Sequence, residues 1–101
     1  MKIKYFFLVA VDTDGEVVGV VAEAGQQSKL IPATWFDKND RLYLYREDEE
    51  SDARAGMQYY NQYFWNEITG DGSTKTYQKA RRDAISPKPW TMEIRPMEVS
   101  L

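Results

Sequence analysis

The sequence predicts an α+β fold: a small antiparallel sheet of three to four strands with two helices packed on one face. Three observations predict it. Two β-rich segments flank the turn Asp12-Thr13-Asp14-Gly15. Apolar residues recur at helical spacing from Ala53 to Ile68. Near the end, Trp90, Met92 and Ile94 alternate with Thr91, Glu93 and Arg95 at the two-residue period of a strand.

Residues 2–12 are apolar on both faces, with Ile3, Tyr5, Phe7, Val9 and Val11 on one and Phe6, Leu8 and Ala10 on the other. Such a strand is expected to be central and covered twice. Gly15 suits the turn because it tolerates positive φ, and aspartate bonds its own backbone there. The chain returns through Val17, Val18, Val20 and Val21 as the second arm of a hairpin. Gly25 to Lys29 reads as a polar loop, and Leu30 to Phe36 as a short extended piece that Pro32 bends or places at an edge. A second turn falls at Asp37-Lys38-Asn39-Asp40. Arg41 to Arg46 reads as a third strand, Leu42 and Leu44 alternating with Tyr43 and Tyr45.

Glu47 to Asp52 is an acidic run with one serine in it. It suits the first turn of a helix, where carboxylates meet the positive end of the dipole. At about 100° per residue, Ala53, Met57, Tyr60, Phe64 and Ile68 share a stripe of about 80°. That stripe is expected to be core. It leaves over Tyr59, Tyr63 and Trp65. Trp65 has Arg54, Gln58, Asn61 and Gln62 on its side of the helix, so its indole is either covered by a loop such as Gly25–Lys29 or presented to a partner.

Gly70-Asp71-Gly72 breaks the pattern. Ser73 or Thr74 is then placed to cap a second helix, which Pro87 stops at about Ser86. Its thin apolar stripe, Tyr77, Ala80 and Ala84 with Ile85 at the edge, is expected to face inward. Lys75, Lys79 and Arg82 fall on the opposite side. After Pro96 the apolar set moves to Met97, Val99 and Leu101, which predicts a bulge or a strand end.

A length of 101 residues is that of one domain. The chain has no Cys, which suits a reducing compartment. The apolar stretch Tyr5 to Val11 is too short for a bilayer, and Asp12 and Asp14 follow where a signal peptide needs small residues. A cytoplasmic protein without membrane contact is expected. There is also no His, so Ser-His-Asp and Cys-His catalysis and zinc sites of Cys or His type are excluded. No metal or cofactor is expected. Asp12, Asp14 and Glu16 lack the remaining ligands of a calcium loop, and Gly70 to Thr76 lacks the Gly that must precede Lys in a phosphate-binding loop.

These features lead to the expectation of a non-enzymatic protein-binding module, an inhibitor or adaptor that covers a surface on a larger protein or complex. Small proteins that phages and mobile elements direct at host or defence machinery have this composition. Trp65, Tyr59 and Tyr63 are the candidate aromatic anchors. Glu47, Asp48, Glu49 and Glu50 are the candidate acidic contacts to a basic groove. The rival expectation is a nucleic-acid-binding accessory protein in which Lys75, Lys79, Arg82 and Lys88 meet phosphates. A net charge of −3 favours the first. A two-fold homodimer through a sheet edge or the Tyr/Trp-rich helix is a third arrangement these residues allow.

Overall fold

Residues 2–12, apolar on both faces, form the strand on which the sheet is built. The computed structural model describes residues 1–65 and 72–101, and of residues 73 and 74 the backbone alone. In chain order it contains β1 (Lys2–Asp12), β2 (Val17–Ala24), β3 (Gln27–Pro32), β4 (Tyr45–Arg46), α1 (Glu50–Trp65), α2 (Gly72–Ile85) and β5 (Trp90–Ser100). Short 3-10 turns at Ala33–Trp35 and Glu47–Glu49 join them. The class is α+β with one antiparallel sheet, but of five strands rather than three to four. Among the described residues no helix is long and apolar enough to cross a membrane.

β1 is central. Along one edge it pairs with β5 over its whole length, from Lys2 opposite Ser100 to Asp12 opposite Trp90. Its other edge is shared. β2 pairs with it at Val9 to Val11, after the predicted turn, where Asp12 accepts the Asp14 and Glu16 N–H groups and Gly15 takes φ +81°. Beyond Val9 the two arms diverge, and residues 41–46 fill the gap. Leu42 bridges to Ala22, and Tyr45 and Arg46 pair with Phe6 and Tyr5. The third strand expected at Arg41 to Arg46 is thus a wedge with only two residues of regular ladder.

The extra strand is β3. Gly25 and Gln26 are the two-residue loop of a hairpin, with Gly25 at φ +66°, so residues 27–29 are strand and not polar loop. A glycine at the first loop position is the chemistry of that turn. Leu30 to Phe36 is correspondingly not one extended piece. The strand ends at Pro32 and a 3-10 turn follows. The expected bulge or end at Pro96 is absent. β5 runs through it in unbroken register, Pro96 opposite Phe6. The Met92 N–H points away from β1, to Asn61 Oδ1 at 2.9 Å, so Pro96, on the same side of the strand, loses no ladder bond.

The core lies between the helices and the even-numbered face of β1. Leu8, Ala10, Val21, Leu30, Trp90 and Met92 meet Tyr60, Phe64 and Ile85 there. Ala53, Tyr60 and Phe64 of the predicted α1 stripe are buried and Met57 is half-buried, while Ile68 lies outside the described residues. The odd face of β1 is covered at Val9 and Val11 but only partly at Ile3, Tyr5 and Phe7, so the expectation of double cover holds for one end only. Two glycines set the helix-to-sheet distance. A Cβ on Gly56 would stand 2.8 Å from the Tyr45 hydroxyl. One on Gly19 would stand 3.0 Å from Ile85 Cγ2, 3.1 Å from Ala10 Cβ and 3.2 Å from the Ile31 carbonyl oxygen.

α2 is rotated by about a third of a turn from its expected orientation. Gln78 and Ile85 are buried and Arg81 and Arg82 half-buried, whereas Tyr77, Ala80 and Ala84 are exposed. The reason is that arginine stems bury readily while their heads lie on aromatic rings, so the two arginines outcompete a stripe of small residues. The helix already begins at Gly72, ahead of the residues expected to cap it, and Gly70 and Asp71 lie outside the description.

Gly19→Val is expected to lower stability by about 2 kcal/mol, because the sheet, Ala10 and the end of α2 leave no room for a side chain. A lower urea midpoint at constant m-value would show it. An unchanged midpoint would mean that α2 does not rest on Gly19.

Candidate functional site

The aromatics left over from the α1 stripe separate into two groups. At the C-terminal end of α1, Trp65 is 38% exposed and stands edge-on to Trp90, ring centroids 5.3 Å apart. The Arg82 guanidinium lies over its other side at 4.6 Å. Its own chain therefore covers much of the indole, through Trp90 and Arg82 and not through residues 25–29.

Trp90 is 2% exposed and holds this corner together. Its indole N–H donates to the Arg82 carbonyl at 3.2 Å, a carbonyl in the last turn of α2 that also accepts the Ser86 N–H at 3.4 Å. Its ring meets Phe64 edge-on at 5.5 Å. Arg82 in turn donates to the Phe64 carbonyl at 3.3 Å. One indole thus fastens α1 and α2 to β5.

The second group is at the surface. Tyr59, 61% exposed, stacks on Tyr63 at 6.1 Å, and Tyr63 meets Phe64 edge-on at 4.8 Å. From α2 the Arg81 guanidinium approaches Phe64 at 5.5 Å, Tyr77 at 5.7 Å and Tyr63 at 5.9 Å. Tyr77 is 61% exposed, and Trp35, beyond β3, is 63% exposed. A groove runs between these rings and β3. One part, of ≈190 Å³, is lined by Tyr59, Tyr63 and Arg81 against residues 28–30. The other, of ≈150 Å³, is lined by Tyr77, Arg81 and Trp35 against residues 29–32. Tyr60 closes the floor, its hydroxyl 2.9 Å from Ser28 Oγ. Burial pushes the Tyr60 phenol up from its ordinary value, opposed by the Ser28 hydrogen bond. Arg81 has no carboxylate within ion-pair distance among the described residues.

No protein-family model, no curated protein and no solved structure matches this chain.

The acidic candidates start a helix, as the run predicts. Glu49 accepts the Arg46 N–H at 2.8 Å and its guanidinium at 3.2 Å, and Asp48 stands 3.6 Å from the same group. The Glu49 carboxyl is held below its ordinary value, first by the Arg46 backbone bond. Glu50 pairs with Arg54 one turn on. Glu47 and Asp48 border an open groove of ≈530 Å³ beside β1 that also contains Lys2, Lys4 and Arg46. The four acids are therefore mixed with bases and not a uniformly negative patch.

The basic candidates are not brought together either. Arg82 is turned inward and Lys88 pairs with Asp14, leaving Lys75 and Lys79 exposed on α2. Arg81, Tyr77 and Trp35 were not among the sequence candidates. Tyr77 belongs to the α2 stripe expected to face inward. The Arg81-Arg82 pair beside an aromatic-rich helix was the available signal, since arginine stacks on aromatic faces more than lysine does.

On the far side of α1, burial pushes the Tyr45 phenol up to about 12, with neighbouring Tyr43, Tyr60, Asp52 and Glu49 adding to the effect. An unfolded tyrosine ionises near pH 10, about 2 units lower. Between those values the folded chain keeps a proton that the unfolded chain has lost. Stability is then complete below about pH 10 and falls as pH rises toward about 12. Urea midpoints between those pH values are expected to decline, and less steeply in Tyr45→Phe. Parallel profiles in the two proteins would remove Tyr45 as a source.

Proposed function

We propose that the chain is a non-enzymatic protein-binding module, an inhibitor or adaptor that docks through the Arg81 groove. The observation that carries this reading is the concentration of Trp35, Tyr59 and Tyr77, each about three-fifths exposed, around Arg81. Large apolar side chains rarely stand so open without use, and Trp, Tyr and Arg are the residues that most often anchor a protein interface. Tyr and Trp also lose little conformational entropy on contact, and the stacking of Tyr59 on Tyr63 lowers that cost further. Trp65, the first aromatic candidate from sequence, contributes through the corner with Trp90 and so supports the surface from behind. The acidic run at Glu47 to Glu50 would act in steering, since its carboxylates are partly paired at a helix start.

The nucleic-acid reading has less support. Of its four cations Arg82 is turned inward and Lys88 is paired with Asp14 at the surface, and the two remaining lysines account for only two phosphate contacts. A partner from a phage or mobile-element conflict with its host suits a small acidic adaptor, and it rests on composition alone.

Affinity capture from the source cells, quantified by mass spectrometry, tests the surface. The double variant Tyr59→Ala with Tyr77→Ala is expected to lose a partner that Lys75→Ala with Lys79→Ala retains. Each truncated anchor should cost about 1–2 kcal/mol, so the double variant should bind about a hundredfold more weakly. Loss in the lysine variant alone would overturn the aromatic reading.

A further inference from the structure

We propose that two copies of this chain join through the outer edge of β5, strand against strand, about a two-fold axis at Met97. β5 pairs with β1 alone and so leaves its other edge without a strand. The Leu101 N–H donates to the Met1 carbonyl at 2.8 Å, and the Met92 N–H points the other way, to Asn61 Oδ1 at 2.9 Å. Odd positions of β5 therefore bond β1, and even positions turn their N–H and C=O groups outward. Asn61 of α1 closes that edge at Met92. From Ile94 to Ser100 it is open. Pro96, Glu98 and Ser100 are exposed and Ile94 is half-buried, and among the described residues no hydrogen bond reaches their main chain.

The open length is its own complement. An antiparallel pair about Met97 sets Ile94 opposite Ser100 of the second copy, and Pro96 opposite Glu98 of the second copy. Every outward N–H of the open length then finds an acceptor. Ile94 and Ser100 exchange both bonds. The Glu98 N–H meets the carbonyl of Pro96, which has no N–H to give in return. Three N–H groups from each copy, at Ile94, Glu98 and Ser100, make six bonds. The neighbouring registers are poorer. Centred on Pro96, the pairing opposes two residues without an N–H and calls on the Met92 N–H that Asn61 already holds. Centred on Glu98, it opposes two like charges and leaves Ile94 without a partner in the strand.

The side chains agree with that register. Residues facing each other at a non-hydrogen-bonded site stand closest, and here these are Met97 against Met97 and Val99 against Arg95. Met97 is half-buried and Val99 is 37% exposed, so both gain cover that the single chain does not give them. On the helix side a groove of ≈440 Å³ lies between Arg54 and Met57 of α1 and Ile94 and Pro96 of β5. It leaves room for the Glu98 and Ser100 side chains of the second copy. The charges also permit approach. The chain carries −3 overall, yet Lys2, Lys4 and Arg95 at this edge outnumber Glu93 and Glu98. Lys2 stands 4.0 Å from Glu98 and offsets its charge. The Arg81 groove lies beside β3, at the other side of the sheet, so this pairing leaves it free in both copies.

The unaltered chain is sedimented in the analytical ultracentrifuge from about 10 μM to 1 mM, the range that six main-chain bonds imply. Amide exchange is followed by NMR over the same concentrations. The expected result is a shift from monomer to dimer mass, with exchange at Ile94, Glu98 and Ser100 slowing as concentration rises. Glu98→Pro removes two of the six bonds and should weaken the dimer about thirtyfold. The N–H it removes faces water in the single chain, so the urea midpoint of the monomer should stay in place. The chain has no cysteine of its own, which allows a test of register. Met97→Cys is expected to oxidise to a disulfide-linked dimer, because residues facing each other at the axis lie within disulfide reach. Val99→Cys, four residues along the strand from its counterpart, is expected to stay unlinked. Monomer mass at about 1 mM would overturn the proposal. So would a dimer whose three amides exchange at an unchanged rate, or one that Tyr59→Ala with Tyr77→Ala dissolves and Glu98→Pro does not. Equal cross-linking of the two cysteine variants would overturn the register.

Discussion

A buried indole N–H must find an acceptor, and the one Trp90 finds decides how the helical layer is arranged. Leaving that group unpaired inside the core would cost about 1–3 kcal/mol, against a total stability of about 5–15 kcal/mol for a domain of ordinary kind. The Arg82 carbonyl answers it at 3.2 Å. Because that carbonyl belongs to the last turn of α2, the bond holds the end of the helix against the start of β5. Arg82 then reaches Phe64 and Trp65, Arg81 lies against Tyr63 and Phe64, and Tyr77 is carried round to the surface. The candidate site is in this sense a consequence of the core. The rotation that satisfies Trp90 is the one that exposes Tyr77 beside Arg81.

The sheet shows a comparable economy in its edges. β1 and β2 separate after a short ladder, and residues 41–46 enter between them, so one central strand serves three neighbours. The wedge directs Tyr43 and Tyr45 toward the helices, where they meet edge-on at 5.1 Å and pack against the core. Gly56 lets α1 come down close to the Tyr45 hydroxyl. The apolar odd face of β1 is thereby left only partly covered, while the even face takes both helices.

Much of this was legible in the sequence where a local signal and the tertiary structure agree. The Asp12 to Gly15 turn, the α1 stripe from Ala53 to Phe64 and the inward Trp90 and Met92 follow from turn chemistry and period alone. The misreadings share a physical cause, which is that the deciding partner is remote. Gln27 to Lys29 look like loop until Leu30 is seen to complete the core beside Val21. Pro96 looks like a break until its missing N–H is seen to face outward. Tyr77, expected inward, gives way to Arg81, whose stem and stacked head bury well on rings supplied by α1. Trp65 was left undecided, and its cover comes from residues 17 and 25 positions further on.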